Sequence, residues 1–278
     1  MSGLTLIASY PKSGSTWLRA FLASVALGGR TPNINGELGA IRSLSARALC
    51  ERLGDVDCDD LSPRAIAALR PLVSRRAAQA AAGIYKVHDA NLVPPAGEEP
   101  AIPADVIDRV VYVVRDPRDV AVSFAAHFGM SIEQAAATLG DPTFMLGHAD
   151  DRPNAQVDQF LSSWAAHVAS WIDSPGLHVH LVRYEDLVAQ PLRTFAALCA
   201  FLDLAAERTL IEAAIEAVRI DALAGQEDAA GFVERHPLAA ARFFRRGVAG
   251  GWRQTLSSPL VARIEREQGA MMARLGYL

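Results

Sequence analysis

Short apolar runs alternate along the chain with longer stretches whose apolar positions recur at helical spacing. Continuous apolar runs rich in Val and Ile are typical of strands that are covered on both faces, as in a parallel sheet. Four such runs predict strands at residues 4–9, 84–88, 109–115 and 178–183. Helical periodicity predicts helices at residues 16–27, 63–81, 117–128, 157–172, 191–202 and 259–275. Strands that alternate with helices predict an α/β fold in which one domain, residues 1–278, forms a parallel sheet flanked by helices.

Local signals set the boundaries of some of these elements. Asp116 is a typical helix N-cap, Pro117 favours the first helical position, and Gly129 is typical of a helix end. Four long stretches show neither a continuous apolar run nor apolar residues at helical spacing. We therefore predict loops at residues 29–40, 89–104, 140–155 and 222–250.

Composition narrows the class of protein. Apolar residues make up 51% of the chain and charged residues 21%, as in ordinary globular proteins. The net charge of −4 argues against a general nucleic-acid-binding protein, which normally carries a basic excess. The apolar run at residues 4–8 is too short to span a membrane and follows no export signal, so we expect a cytoplasmic protein. Cys50, Cys58 and Cys199 are odd in number and lack metal-ligand spacing, which predicts reduced thiols and no metal site.

The segment ASYPKSGSTW, residues 8–17, joins the first predicted strand to the first predicted helix. Such a loop directs free backbone N–H groups and the positive end of the helix dipole at one point, which is typical of an anion-binding site. The loop contains Lys12, and the second predicted strand contains Lys86; all the other basic residues among the 27 are arginines. Lysine is a compact, mobile charge, whereas arginine is a rigid fork. We therefore interpret both lysines as functional.

Polar residues lie at the end of each predicted strand. Lys12 follows the first strand, Lys86 and His88 close the second, and Arg115 closes the third. The fourth strand is followed by Tyr184, Glu185 and Asp186. Because ligands of open parallel sheets bind at the carboxyl ends of the strands, we expect these side chains to face one crevice.

The loop is P-loop-like but differs from the loop of nucleotide kinases. That loop requires Gly-Lys-Ser/Thr at its end, whereas Lys12 precedes Gly14 here. The third strand ends in Arg115 where such kinases commonly place a magnesium-binding Asp, and capping explains Asp116. The sequence therefore predicts an anion site built from amides, Lys and Arg, without a metal ion.

Several motifs resemble those of one family. SYPKSGSTW, residues 9–17, resembles the 5′-phosphosulfate-binding loop of the cytosolic-type sulfotransferases, which use 3′-phosphoadenosine 5′-phosphosulfate (PAPS). VVYVVRDPRDVAVSF, residues 110–124, is similar to their 3′-phosphate-binding strand and helix. RRGVAGGWR, residues 245–253, resembles their nucleotide-capping segment. KVH, residues 86–88, and RYEDL, residues 183–187, fit the family's Lys-x-His and Tyr-Glu-Asp-Leu.

The resemblance implies that PAPS is the co-substrate and 3′-phosphoadenosine 5′-phosphate (PAP) the product. Within it, the loop would hold the 5′-phosphate, Tyr184 would lie on the adenine side, and Arg115, Ser123 and Arg245 would bind the 3′-phosphate. The residues that it assigns to the nucleotide are Lys12, Ser13, Gly14, Ser15, Thr16, Trp17, Arg115, Ser123, Tyr184, Arg245, Arg246 and Gly247.

The resemblance also implies the catalytic residues. His88 would act as the general base on a hydroxyl or amine of the acceptor, with Asp89 as the nearest alternative base. Lys12 would follow the leaving oxygen, and Lys86 would steady the sulfuryl oxygens. The sequence departs from the family at Gly251, where Asp is usual, and at Ile220, which would form a weaker adenine wall.

The acceptor is predicted to be a partly apolar small molecule. It would contact the segments after the second strand and around residues 129–155, which include Phe128, Met130, Phe144 and Met145. The oligomeric state stays open. Trp164 and Trp171, seven residues apart, are typical of a buried helix stripe, with an acceptor pocket as the alternative. Residues interpreted as surface, core or local charges are His127, His148, His167, His178, His180, His236, Arg118, Asp119 and Asp186.

Two other functions remain open at this point. A small-molecule kinase would share the sheet and the anion loop, and Mg²⁺-dependent turnover of ATP would indicate it. A non-catalytic nucleotide-binding module would need the loops but not His88, and tight binding without turnover would indicate it.

Overall fold

The computed structural model describes residues 3–80, 83–147 and 155–278 and has a parallel sheet at its centre. The sheet has the strand order β2-β1-β3-β6, and β4 and β5 form a small antiparallel pair. The strands are β1 (Leu4–Ala8), β2 (Ile84–Val87), β3 (Ile107–Val114), β4 (Met145–Leu146), β5 (Gln159–Phe160) and β6 (Val179–Arg183). The predicted α/β class is confirmed.

Helices cover both faces of the parallel sheet. The helices are α1 (Ser15–Ala26), α2 (Arg47–Gly54), α3 (Pro63–Ala80), α4 (Pro117–Phe128), α5 (Ile132–Gly140), α6 (Trp164–Ile172), α7 (Tyr184–Ala189), α8 (Pro191–Phe201), α9 (Arg208–Ala217), α10 (Ile220–Ala230) and α11 (Ser258–Arg274). One face packs against α4, α6 and α11, and the other packs against α1, α8 and α9. In the part of the chain that the structure describes, no helix is both long and apolar enough to cross a bilayer.

The central strand β3 shows why continuous apolar runs in the sequence correspond to the parallel strands. Successive side chains of a strand point to opposite faces of its sheet. Val110, Tyr112 and Val114 belong to the core on the α4 side, and Val111 and Val113 belong to the core on the α1 side. Because both faces are covered, every position from 110 to 114 is buried.

The predicted helix at residues 157–172 is wrong in its first half. Residues 159 and 160 form β5, and α6 begins only at Trp164. Ser162 has a positive φ of 59°, and the Ser163 hydroxyl accepts a hydrogen bond from the Ala166 amide as the helix cap. The chain therefore turns sharply between the two elements.

The predicted loop at residues 222–250 is wrong in its first part, because α10 occupies it up to Ala230. This helix buries Glu227 beside Leu223 and Ala224, so its apolar periodicity is weak. The helices α2, α5, α7 and α9 were also not predicted. Ala81, the predicted end of the second helix, lies outside the described residues, and α3 ends at Ala80.

Candidate functional site

The anion loop lies between β1 and α1, as predicted. Lys12 and Gly14 have positive φ angles of 71° and 107°. Gly14 is the N-cap of α1 without a side-chain cap, and the first turn of this helix contains no acidic residue. The first amide groups of α1 therefore keep their capacity to bind an anion. A Cβ atom at Gly14 would lie 2.6 Å from Cδ2 of Tyr184, so a larger residue does not fit.

Three arginines form a cationic cluster beside the loop. Arg115 follows β3; one of its Nη atoms donates to the Val248 carbonyl at 3.0 Å, and its guanidinium carbon lies 4.2 Å from the Tyr184 ring centroid. Burial lowers the pKa of Arg245, and the charges of Arg115 and Arg246 lower it further. Like charges that are held together in this way favour an anion as their partner.

Residues 231–250, here called the capping segment, bring Arg245 and Arg246 to the cluster. The segment is held by Glu227 of α10, which is buried. The two carboxylate oxygens of Glu227 accept hydrogen bonds from the amides of Phe243 and Phe244, at 2.7 and 2.9 Å. One carboxylate therefore fixes the backbone directly before Arg245.

Asp119 of α4 also holds the capping segment. Its carboxylate accepts hydrogen bonds from the amides of Gly250 and Trp252, at 2.7 and 2.8 Å. Asp119 also forms the expected local ion pair, with Arg115 at 3.9 Å, so the interpretation as a local charge holds but misses the two distant backbone partners. Arg118 does pair with its neighbour Asp116, as expected.

Lys86 is buried at the end of β2 and faces Glu234 of the capping segment. Lys86 Nζ lies 3.4 Å from a Glu234 oxygen, and Arg19 donates to both oxygens of the same carboxylate at 3.0 and 2.8 Å. Burial alone would raise the pKa of Glu234, but Lys86 and Arg19 outweigh it and lower the pKa to about 2. The ionised carboxylate ties the capping segment to β2 and α1.

His88 follows β2 and is buried. Its Nδ1 atom lies 2.7 Å from the Ser9 carbonyl oxygen and 3.3 Å from the Ser9 hydroxyl. Because a carbonyl only accepts, Nδ1 carries the hydrogen and Nε2 keeps its lone pair. Burial lowers the pKa of His88 well below its usual value, and Lys86 lowers it further. A neutral imidazole of this tautomer can accept a proton at Nε2.

Asp89, the alternative base, is engaged in a buried ion pair. Its two carboxylate oxygens accept hydrogen bonds from Arg70 at 3.2 and 2.7 Å, and both side chains are almost fully buried. Its carbonyl accepts a hydrogen bond from the Trp171 indole at 3.0 Å. Arg70 therefore occupies the carboxylate that this alternative assigns to proton transfer.

The site faces a cavity of about 1120 Å³ at the carboxyl ends of the parallel strands. The predicted site residues that line it are Lys12, Gly14, Ser15, Thr16, Trp17, Lys86, His88, Arg115, Ser123, Tyr184, Arg245, Arg246 and Gly247. Ser13 lies in the same loop, is fully buried, and has a hydroxyl without a hydrogen-bond partner within the described ranges.

Two of the residues expected in the crevice lie elsewhere. Glu185 accepts hydrogen bonds from the Asp116 amide at 3.0 Å and from the Tyr277 hydroxyl at 2.9 Å. Asp186 is paired with Arg183, 3.7 Å away. Glu185 therefore joins α7 to the residue before α4 and to Tyr277, and Asp186 joins α7 to the end of β6. Of the three residues after β6 it is Tyr184 that lines the cavity.

The cavity also has an apolar wall. Phe128, Phe144 and Met145 line it, together with Val233 and Pro237 of the capping segment. Met130, expected here, packs against the hydrophobic core instead. Part of the stretch around residues 129–155 lies outside the described residues, so the wall is described from the remainder.

A sequence model described as the sulfotransferase domain matches residues 3–276. The chain belongs to the sulfotransferase family. It is 24% identical to cytosolic sulfotransferase 16 of Arabidopsis thaliana over 94% of this chain and 73% of that protein. It is 22% identical to sulfotransferase 1A1 of Canis lupus familiaris over 98% of this chain and 84% of that protein.

Solved structures of other proteins share the fold. Retinol dehydratase in complex with androsterone and the inactive cofactor PAP aligns with a TM-score of 0.64 at 17% identity, over 97% of this chain and 80% of the other. A mouse sulfotransferase complexed with PAP aligns with a TM-score of 0.60 at 17% identity, over 98% and 84%.

Two histidines of this sulfotransferase lie in the cavity, although the sequence suggested surface or core positions. His127 of α4 and His236 of the capping segment both line it, and their ring centroids are 5.9 Å apart. Burial lowers the pKa of His127 to about 3, with Lys12 adding to the effect. No sequence spacing joins these two residues, since the contact depends on how the capping segment folds back. His148 lies outside the described residues.

The predicted burial of the two tryptophans in this sulfotransferase agrees with the structure. Trp164 and Trp171 are fully buried in the core, and His167 lies there as well. Ile220 lines the cavity and lies against Gly247 of the capping segment. Across the described ranges, no group of three or more His, Cys, Asp or Glu is placed to hold a metal ion.

Acidic residues that sequence reasoning missed also hold the candidate site together. Glu227 and Glu234 both lie in the stretch 222–250 that was predicted as a loop, where acidic residues are usually exposed. The recognised C-terminal motif begins at Arg245, so it includes neither of these two glutamates. A buried carboxylate needs partners, and those partners become apparent only in three dimensions.

Proposed function

We propose that this sulfotransferase transfers a sulfuryl group from PAPS to a hydroxyl or amine of a small-molecule acceptor. One observation carries the proposal: an anion loop with a cluster of arginines shares a single cavity with a neutral, buried histidine. The relatives named above support the choice of donor, because two of their structures contain PAP.

The cavity suits a nucleotide with two phosphate groups. The hydroxyl of Ser13 and the Nε atom of Arg115 are buried and lack a partner within the described residues, which is costly unless a ligand satisfies them. The uncapped start of α1 offers further donors. We assign the 5′-phosphate to the loop around Ser13, and the 3′-phosphate to Arg115, Ser123 and Arg245, as charge-assisted contacts.

PAPS supplies the sulfuryl group that is transferred and the phosphate that departs. His88 accepts the proton of the acceptor hydroxyl at Nε2, while the Ser9 carbonyl holds the ring in the required tautomer. Lys12 stabilises negative charge on the departing oxygen, and Lys86 stabilises the charge on the sulfuryl oxygens. Glu234 holds the Lys86 ammonium in position.

We infer that the acceptor is partly apolar. The wall that includes Phe128, Phe144, Met145, Val233 and Pro237 offers contacts for a hydrocarbon or aromatic body. A relative crystallised with androsterone is consistent with an acceptor of this kind. We also propose that the protein acts in the cytoplasm, as the name of one curated relative indicates for that protein.

Calorimetric titration with PAP and with adenosine 5′-monophosphate, which lacks the 3′-phosphate, tests the assignment. We expect PAP to bind far more tightly, and Arg115→Ala to weaken PAP binding by about 2–4 kcal/mol. Arg109→Ala, at the opposite end of β3, is the matched control and should leave the affinity unchanged. Equal affinity for the two nucleotides, or Mg²⁺-dependent turnover of ATP, would overturn the proposal.

A further inference from the structure

The ammonium group of Lys12 lies on an aromatic ring. Its Nζ atom is 3.6 Å from the centroid of Phe243, well within the range of a cation–π interaction. Among the described residues, no carboxylate forms a salt bridge with Lys12. The face of Phe243 is therefore the contact that holds this charge.

The charges around Lys12 do not favour an ammonium. Burial lowers the pKa of Lys12 well below its ordinary value, and Lys86, Arg245 and Arg115 lower it further, against the opposing effect of Glu234. His127 is uncharged near neutral pH, because its pKa is about 3. The negative face of an aromatic ring favours the charged form of Lys12. It therefore opposes the effects that lower the pKa, without adding a formal charge.

The ring of Phe243 is itself held firmly. Glu227 accepts a hydrogen bond from its amide at 2.7 Å. Ring centroids of Phe232, Phe244 and His127 lie 4.9, 5.1 and 5.5 Å from that of Phe243. Neighbours thus contact both the backbone and the ring of Phe243, while Lys12 Nζ lies over the ring.

We propose that Phe243 is a positioning residue that holds the Lys12 ammonium in the cavity through its ring face. Because Phe243 belongs to the capping segment and Lys12 to the anion loop, the contact makes the position of the lysine depend on the position of the nucleotide cap. The contact lies within the protein itself, and its consequence for sulfuryl transfer rests on the proposed function.

The sequence makes a direct test possible, because Lys12 and Lys86 are its two lysines. Protein labelled with ¹³Cε-lysine gives one NMR signal for each, and titration of each signal reports the pKa of that ammonium. Lys86, paired with Glu234, serves as the internal reference. The experiment needs neither nucleotide nor acceptor, so its outcome is separate from that of the nucleotide titration.

The decisive variant changes the charge distribution of the Phe243 ring while it keeps the six-membered aromatic ring. Pentafluorophenylalanine introduced at position 243 by nonsense suppression removes the negative ring face. We expect the pKa of Lys12 to fall by about one unit, equivalent to about 1.4 kcal/mol, with the pKa of Lys86 unchanged. Phe243→Tyr, which keeps the ring face, should retain the pKa of Lys12.

The matched control is the same fluorinated residue at position 232, in the same aromatic group but without contact to Lys12. An unchanged Lys12 pKa in the position-243 protein, or an equal fall in the position-232 protein, would overturn the proposal. The unmodified protein gives a second test that needs no variant. Nuclear Overhauser contacts between the Lys12 ε-protons and the Phe243 ring are expected, and their absence would also overturn it.

Discussion

Lys12 is a lysine in a chain that otherwise uses arginine for almost all of its positive charge. We expect Lys12→Ala to lower the rate of the chemical step by about 10²–10³, because the proposed contact strengthens as charge grows on the departing oxygen. Lys12→Arg should not restore the rate, since a guanidinium fork cannot follow that oxygen as a compact ammonium can. Single-turnover measurements with an acceptor found by screening, alongside PAP calorimetry, separate rate from affinity.

The outcome that would count against this role is a change confined to binding. If Lys12→Ala weakens PAP binding severely and leaves the chemical rate intact, Lys12 is a binding residue only. Arg64→Ala, an exposed change far from the cavity, should alter neither quantity.

His88 is expected to act on the acceptor alone. His88→Ala should leave PAP affinity unchanged and lower turnover by about 10²–10⁴, most for aliphatic hydroxyls and least for acidic phenols, which need little help in losing a proton. Because the pKa of His88 lies well below its usual value, kcat/KM should show no loss from protonation of this residue between pH 6 and 8. Near-native turnover of an aliphatic acceptor by His88→Ala would mean that the base lies elsewhere.

At the scale of elements, the capping segment depends on carboxylates from neighbouring helices. Glu227→Gln replaces one accepting oxygen with the NH2 of a side-chain amide, which only donates. This NH2 would face a backbone N–H, so the segment loses a buried hydrogen bond. We expect PAP affinity to fall about tenfold, because Arg245 follows directly. Calorimetry measures this effect. Asp221→Asn, on the same helix with the exposed partner Arg219 outside the capping segment, should have no effect, and an equal loss there would contradict the prediction.

The elements that the sequence predicted well share one physical property. Each of the parallel strands is buried on both faces or ends at a motif, so its apolar run and its polar end are both present in the local sequence. The loop from Lys12 to Trp17 was predictable for the same reason, since amides, glycine and a helix start are neighbours along the chain.

The capping segment could not be predicted, because distant residues decide its course. Glu227 and Asp119 fix its backbone from two different helices, and neither contact has a sequence period. The same applies to His127 and His236, which meet only after the segment folds back. The pairing of Asp89 with Arg70 was not predictable either, because Arg70 lies on a separate helix.

At the scale of the whole molecule, His167 links α6 to β3 and to the residue that follows β2. Its Nδ1 lies 2.8 Å from the Tyr112 hydroxyl, and its Nε2 lies 2.9 Å from the His88 carbonyl oxygen, to which it donates. Burial lowers the pKa of His167 from 6.5 to about 4. The folded protein therefore binds a proton less readily than the unfolded chain, so this stabilisation is complete above pH 6.5 and is lost as the pH falls towards 4.

We expect the free energy of unfolding to fall by about 2 kcal/mol from this residue between pH 7 and pH 5, as measured by urea unfolding. His167→Gln, which keeps a donor and an acceptor, should show a smaller fall. His178→Gln, near the edge strand, is the control and should behave like the unmodified protein. A pH dependence that is identical in His167→Gln would show that other groups cause it.

The capping segment contributes residues to the proposed nucleotide side and to the apolar wall of the cavity. This arrangement has a consequence for the binding and release of ligands. Arg245 and Arg246 lie on the proposed nucleotide side, whereas Val233 and Pro237 belong to the apolar wall. One movement of this stretch would displace the lining of the proposed nucleotide side and of the apolar wall together. A bulky molecule bound at the apolar wall would therefore slow the dissociation of the nucleotide product. The rate of repeated turnover would then be set by the movement of the capping segment.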